Sequence, residues 1–299
     1  MARDWEAWLA TASGPASATE EAERDRTLER VRRAITAAAD IPSSVAVYVK
    51  GSYANGTNVR RGADVDIAVE WRNTFKVDTW DKTAGMTAAQ LGYTPVDEPV
   101  KPSTFRARVE RALVEAFGQR DVDISPDRHI GVAASSTTLD ADVVPCFGMH
   151  RYDDVGRFVV GHRIYPKSGG YVDNFPKQNY DNGVTKNAAT RRRYKEIVRC
   201  SKRLIDELHD VGIIAPNYPG YLTECLLYNV PDRHFAHVRR YDDIVGGLQF
   251  LSGGLCDQAT YNTWTEPSEL LMLFRGRPDR IPANAQSIVT KALRRLEMA

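Results

Sequence analysis

Residues 50–71 read KGSYANGTNVRRGADVDIAVEW, and this stretch decides the fold. Val65, Ile67, Val69 and Trp71 alternate with Asp64, Asp66, Ala68 and Glu70, the period of a strand with one apolar and one polar face. Two carboxylates two residues apart share a strand face and repel one another unless a cation stands between them. Hard carboxylate oxygens suit Mg2+. Taken alone, such a pair more often faces solvent. Upstream, residues 45–49 form a short β-branched strand that runs into Gly51-Ser52, a turn and helix-start signal. Glycine there lets backbone approach a phosphate, free N–H groups at a helix start can hold it, and the Ser52 hydroxyl can add a hydrogen bond.

Working outward, Ser17 with Glu20 makes a capping box for a helix over 17–39, and Leu28, Val31, Ile35 and Ala38 recur at helical spacing. A second helix is predicted over 103–117, with Phe105, Val109, Leu113 and Phe117 on one side. Residues 137–144 read as a strand ending at Pro145, and alternation puts Asp140 and Asp142 on one face without choosing between them. A third carboxylate from a separate strand is what a two-metal site needs, because two metals clamp the attacking and leaving oxygens of an in-line displacement. Residues 150–186, rich in Gly, Asn, Tyr and Pro, read as loops and short strands over the active site. A long amphipathic helix follows over 187–208, then helices near 221–230, 242–251, 267–274 and 283–296. The expected organisation is a mixed α/β unit over 1–186 and a helical unit over 187–299.

The 299 residues carry 40 Lys+Arg against 39 Asp+Glu, a formal charge of +1. That balance argues against a protein gripping long nucleic acid through many phosphate contacts, while small nucleotides need only a local pocket. With 42% hydrophobic and 26% charged residues the chain is globular. The opening residues carry Arg3, Asp4 and Glu6 without an apolar core, so no signal peptide is expected, and no apolar run reaches bilayer length. Cys146, Cys200, Cys225 and Cys256 are scattered, as in a cytoplasmic protein with reduced thiols. Cys146 with His150, and His234 with His237, lack a second pair for zinc. Arg191 to Arg193 read as a solvated face, and Trp5 and Trp8 as anchors of an N-terminal helix.

The Gly-Ser turn, the Asp-x-Asp strand and a later Asp resemble the nucleotidyltransferase superfamily with a polymerase-β-like core. More narrowly, the chain is similar to the bacterial cGAS/DncV-like nucleotidyltransferases (CD-NTases). The matching stretches are residues 51–71, ADVVPC at 141–146, VDNFPKQNYDNGVTKN at 172–187 and YLTECLLYNVPD at 221–232, the last two most like clade E. The resemblance implies a bilobal α/β (α+β) protein, a polymerase-β-like core followed by a C-terminal helical domain. It implies Asp64, Asp66 and Asp142 as catalytic metal ligands, Asp142 being selected over Asp140 because it precedes Val-Val-Pro. Two Mg2+ ions are implied, with Mn2+ as a substitute. Gly51 and Ser52 would hold the donor triphosphate, Lys202 would contact phosphate and Tyr221 would stack on a base. Gly220 stands where relatives carry Ser. Asn174 reads as a turn residue from local sequence, but in clade E an Asn here goes with a uracil base.

The implied activity is synthesis of a uridine-containing cyclic dinucleotide, such as cyclic UMP-AMP or cyclic di-UMP, from UTP and a second nucleoside triphosphate in anti-phage (CBASS) signalling. An effector would be reached through the product. No membrane or long nucleic acid is expected as a partner. The core motif alone also permits transfer to RNA, protein or a small molecule. A degenerate scaffold would have lost a carboxylate, and all three are present. Some family members are attached to targets through the C-terminus, with which Ala299 is compatible.

Overall fold

The computed structural model describes residues 3–59, 64–95, 100–215 and 218–297; residues 60–63 of the opening motif and Ala299 lie outside them. The strands are β1 (Ala46–Val49), β2 (Val65–Thr79), β3 (Val122–Asp123), β4 (Ile130–Val132), β5 (Ala141–Asp154), β6 (Arg157–Ile164) and β7 (Val172–Asn174). The helices are α1 (Trp5–Ala12), α2 (Ala18–Ala37), α3 (Gly51–Asn55), α4 (Ala88–Leu91), α5 (Pro102–Phe117), α6 (Pro176–Ala189), α7 (Arg193–Asp210), α8 (Gly220–Tyr228), α9 (Arg240–Leu255), α10 (Gln258–Tyr261) and α11 (Pro282–Glu297). The chain forms two compact units, one from residues 18–53 and 64–176, the other from 1–17, 54–63 and 177–299. The sequence places the division at 186; the compact units part at 176/177, and residues 1–17 and 54–63 go with the helices.

The first unit is built on one sheet. β2 and β5 run parallel at its centre; β1 pairs β2, β4 pairs β5 and β6 pairs β5, all antiparallel. β3 extends the sheet beyond β4, and β7 beyond β6. The alternation of β2 has a direct packing cause. Val65, Ile67 and Val69 are fully buried and Trp71 is 4% exposed, on the face that α2 and α5 cover. Phe105 of α5 lies 5.1 Å from Trp71 and 5.5 Å from Phe147, ring to ring and edge-on. Asp66, Ala68 and Glu70 stand on the opposite face, so burying the apolar row leaves the carboxylates on the other side of the sheet.

The second unit is a helical bundle. Tyr194, Ile197, Val198, Leu204 and Leu208 of α7 pack with Trp5 and Leu9 of α1, Ile244, Leu248 and Leu251 of α9, and Ala285, Val289 and Leu296 of α11. Trp5 is buried as expected, while Trp8 packs against the core from a half-buried position, and the Arg3 guanidinium lies over both rings while pairing with Glu207 at 2.6 Å. Among the described residues no helix is long and apolar enough to cross a membrane. The four cysteines are free, three of them buried.

Several boundaries differ from the sequence reading. The strand expected over 137–144 starts at Ala141 and runs through Pro145 to Asp154. Proline is tolerated there because β4 has left that edge of β5 after Val143 and β6 joins it only at Cys146, so no partner on that edge needs its N–H. Residues 150–164, read as loops and short strands, are mostly strand: they continue β5 and form the eight-residue β6. The helix expected from 187 is two helices, broken where Arg191 and Arg192 adopt φ of 51° and 71°. Arg191 and Arg192 are exposed, but Arg193 pairs with Glu196 and with the fully buried Asp243. Residues 267–274 are not helical: Glu266 N–H donates to Leu271 O at 2.9 Å and Leu273 N–H to Trp264 O at 2.8 Å, a hairpin-like turn with Glu269 at φ 60°.

Candidate active site

Parallel pairing sets Asp66 of β2 directly beside Asp142 of β5. Asp64 immediately precedes β2, where Val65 N–H donates to Asp140 O at 2.8 Å. Asp140 itself faces a different task, its carboxylate accepting from Ala134 N–H at 2.7 Å. Register therefore pairs Asp142, and not Asp140, with Asp66. Burial, then the charges of Asp140 and Asp66, holds the Asp64 carboxyl above the usual carboxylate range, with His129 opposing. Burial also raises Asp142; Asp66 and Asp64 add to this, while His129 and Lys50 pull it down. His129 Nε2 lies 3.2 Å from Asp142 Oδ1, a partner that sequence reading missed because it comes from a loop far from any motif. Among the described residues no three His, Cys, Asp or Glu side chains close on one point. Asp64, Asp66 and Asp142 offer only hard carboxylate oxygens, a donor set that fits a divalent ion.

The Gly-Ser turn reaches this face through β1. Lys50 N–H donates to Asp66 O at 2.8 Å, which sets Gly51 over the aspartate. Gly51 has φ 65°, and a Cβ built on it would fall 2.0 Å from Asp66 Oδ2 and 2.7 Å from its Cγ. Only glycine fits. Ser52 follows in the first turn of α3, half-buried.

The same face continues along β5 as Val144, Cys146 and Gly148, six residues beyond Asp142, and crosses to His162 of β6 and Asn174 of β7 by direct pairing. Asn174 is half-buried at the end of β7. A side chain at position 161 would strike Phe175, the Asn174 carbonyl and Met149 at 2.8–2.9 Å, so Gly161 is what lets β7 close onto β6. Between the aspartates and Asn174, Tyr48, Glu70 and His162 form a linked polar group, and burial pushes the Cys146 thiol up to about 12.

In the helical unit Lys202 of α7 is 7% exposed. Its Nζ donates to Thr57 O at 3.1 Å and pairs with Glu224 Oε2 at 3.4 Å. Glu224 also accepts from Asn55 Nδ2 at 2.9 Å and Thr57 Oγ1 at 2.6 Å, so Lys202 balances a buried carboxylate that anchors residues 55–57. Tyr221 of α8 accepts from Asn179 Nδ2 at 3.0 Å and donates to Glu266 Oε2 at 2.9 Å, which fixes its ring from the hydroxyl end. A Cβ at Gly220 would meet only the Lys202 stem, at 3.7 and 3.8 Å, ordinary contact. Gly220→Ser is therefore expected to fold with a melting temperature at or slightly above wild type, because glycine loses more backbone freedom on folding. Calorimetry checks this, and a drop of several degrees would contradict it.

A family model for the cGAS/DncV-like nucleotidyltransferase C-terminal helical domain matches residues 181–297. The cyclic dipyrimidine nucleotide synthase CdnE of Legionella pneumophila is 35% identical over 278 residues, 92% of each chain. The structure of Rhodothermus marinus CdnE c-UMP-AMP synthase with Apcpp and Upnpp superposes with a TM-score of 0.81 at 26% identity, covering 98% of this chain and 96% of that one. Elizabethkingia meningoseptica CdnE cyclic dinucleotide synthase with GTP and Apcpp gives 0.80 at 27%, covering 97% and 98%. With the polymerase-β-like sheet, the helical domain and full-length relatives in agreement, this chain belongs to the cGAS/DncV-like nucleotidyltransferases, alongside their CdnE members.

Proposed function

We propose that this enzyme joins two nucleoside triphosphates into a cyclic dinucleotide carrying at least one uridine. The observation that carries the reading is the registered pair Asp66–Asp142 with Gly51 seated against Asp66. Asp64, Asp66 and Asp142 would hold two Mg2+ ions, or Mn2+ in their place. When bound, these supply Lewis-acid activation of the acceptor 3′-hydroxyl and neutralise the departing pyrophosphate. Gly51 and Ser52 bind donor phosphate through backbone N–H groups and the serine hydroxyl. His129 holds the Asp142 carboxylate in orientation, 3.2 Å away. Asn174 offers its carboxamide to the uracil edge. In the helical unit, Tyr221 presents its ring to a base, and Lys202 contributes positive charge toward phosphate while ordering residues 55–57.

Each half-reaction forms one phosphodiester and releases one pyrophosphate, and the second closes the ring. The product would serve as a diffusible signal to an effector in anti-phage defence. Purified protein incubated with all four ribonucleoside triphosphates and Mg2+, without any added acceptor, is expected to yield a phosphatase-resistant cyclic product containing uridine by mass spectrometry. A product lacking uridine would refute the base assignment. No product without an added RNA, protein or small-molecule acceptor would refute cyclic dinucleotide synthesis.

A further inference from the structure

The metal and phosphate chemistry leaves unexplained the side chains around His162. His162 is 7% exposed, and its Nε2 lies 2.6 Å from Tyr48 Oη. A tyrosine hydroxyl has one proton, and Tyr48 donates it to Glu70 Oε2 at 3.0 Å, an oxygen that also accepts from Arg72 Nε at 2.9 Å. The 2.6 Å contact then requires Nε2 to carry hydrogen and donate to Oη. Burial pushes His162 down to about 4, so the ring is neutral near pH 7 and has a single N–H. Its Nδ1 is therefore a bare lone pair. Among the described residues no donor reaches Nδ1, and it is not one of the sealed, orphaned atoms, as His150 Nδ1 is. Residue 148, next to His162 across the strands, is glycine, and a Cβ there would come within 3.4 Å of Glu70 Oε1.

Asn174 is the direct cross-strand partner of His162. Directly opposed side chains share a face with Cβ atoms about 5 Å apart. The two facing residues are therefore a carboxamide, which can donate and accept, and an imidazole whose remaining nitrogen accepts and cannot donate. Uracil has an N3–H donor between two carbonyl acceptors. Cytosine has a bare N3 acceptor, so a fixed lone pair facing it leaves two acceptors opposed and unpaired. We propose that His162, held in its Nε2–H tautomer by Tyr48 and Glu70, is a specificity residue that accepts from N3–H of a uracil base beside Asn174 and so rejects cytosine. The inference rests on the proposed uracil site at Asn174 and adds the group that separates the two pyrimidines. Tyr48 acts through His162 and is a positioning residue.

With equimolar nucleoside triphosphates, wild-type product is expected to hold uridine in large excess over cytidine. In Tyr48→Phe and His162→Phe that ratio falls by about tenfold or more. Tyr48→Phe should gain cytidine, because a released imidazole can move its proton to Nδ1 and donate to cytosine N3. An unchanged ratio in variants that melt like wild type overturns the proposal. A second measurement uses wild-type protein alone: nitrogen NMR of ring-labelled histidine, titrated with UTP or CTP. An unprotonated Nδ1 that responds to UTP and not to CTP supports the assignment. A protonated Nδ1, or equal responses, overturns it. This arm needs neither turnover nor a stable variant, so absence of a cyclic product would count against the cyclase reading while leaving the His162 test decisive.

Discussion

Asp142→Asn is expected to reduce cyclic product by about 1000-fold or more while raising the melting temperature of the metal-free protein. The two effects share one cause. The Asp142 carboxyl is held above its usual range by burial, and Asp66 and Asp64 push it further. A carboxyl whose pKa is raised in the fold weakens the folded state once ionised. That penalty is absent below the unfolded value, near 4, and grows as pH rises through the raised folded value. Asn keeps the shape and removes the charge. The side chain is 29% exposed and His129 already offsets part of the repulsion, so the gain is about 1 kcal/mol, or about 1.5 °C at this chain length. Losing one of the three proposed metal ligands from a charge-stabilised phosphoryl transfer would remove about 4 kcal/mol of transition-state stabilisation. Calorimetry in EDTA at pH 5 and pH 8, then with Mg2+, separates the terms. The variant should lead by more at the higher pH in EDTA and lose its lead when Mg2+ stabilises only the wild type. Retained synthesis, or a variant less stable than wild type in EDTA, would remove Asp142 from the metal site.

The strand carrying Asp66 was legible because its apolar row meets α2 and α5, so burial and sequence have the same period. Choosing between Asp140 and Asp142 was not a local question. Alternation in the sequence gives both one face, and only the pairing of β5 with β2 sets one beside Asp66 while the 134–140 loop claims the other. Pro145 misled for a similar reason: whether a strand tolerates proline depends on where its neighbours end. The turn at 267–274 has helical spacing, but Glu266 collects Tyr221, Arg277 and Arg280 from outside the segment, and these contacts outweigh local propensity. His129 and His162 carried no motif at all. Each gains its place from backbone register or a loop, and each is seen only once the sheet is assembled. Lys202 shows the converse, a matched residue whose charge is also engaged by buried Glu224.

Gly51→Ala is expected to cost the enzyme its metal-dependent activity, by about 100-fold or more, though it adds one methyl group and removes no functional atom. Two independent terms act. At φ 65° an alanine is strained by about 1–2 kcal/mol. Its Cβ would also lie 2.0 Å from Asp66 Oδ2, 2.7 Å from Cγ and 3.1 Å from Cβ. The obstacle is a whole short side chain, not the tip of a flexible one, and its backbone is held in β2 by pairing with Asp142. Either Asp66 rotates off the face it shares with Asp142 or the turn lifts away from the Lys50–Asp66 hydrogen bond. The first outcome removes a proposed metal ligand; the second removes the backbone that would hold donor phosphate. Both leave the apolar face of the sheet intact, so circular dichroism should keep its shape while the melting temperature falls by a few degrees, about 2 kcal/mol or more. Ser52→Ala is the control, since it deletes a hydroxyl without strain and should weaken donor binding alone, through a raised KM with little change in kcat. Mg2+ titration of Gly51→Ala distinguishes the two outcomes: loss of the Mg2+-induced rise in melting temperature identifies a displaced Asp66, while a retained rise with lost nucleotide binding identifies a lifted turn. Activity near wild type in Gly51→Ala would mean that Asp66 does not need the position it holds against the turn, and the site would have to be rebuilt around other ligands.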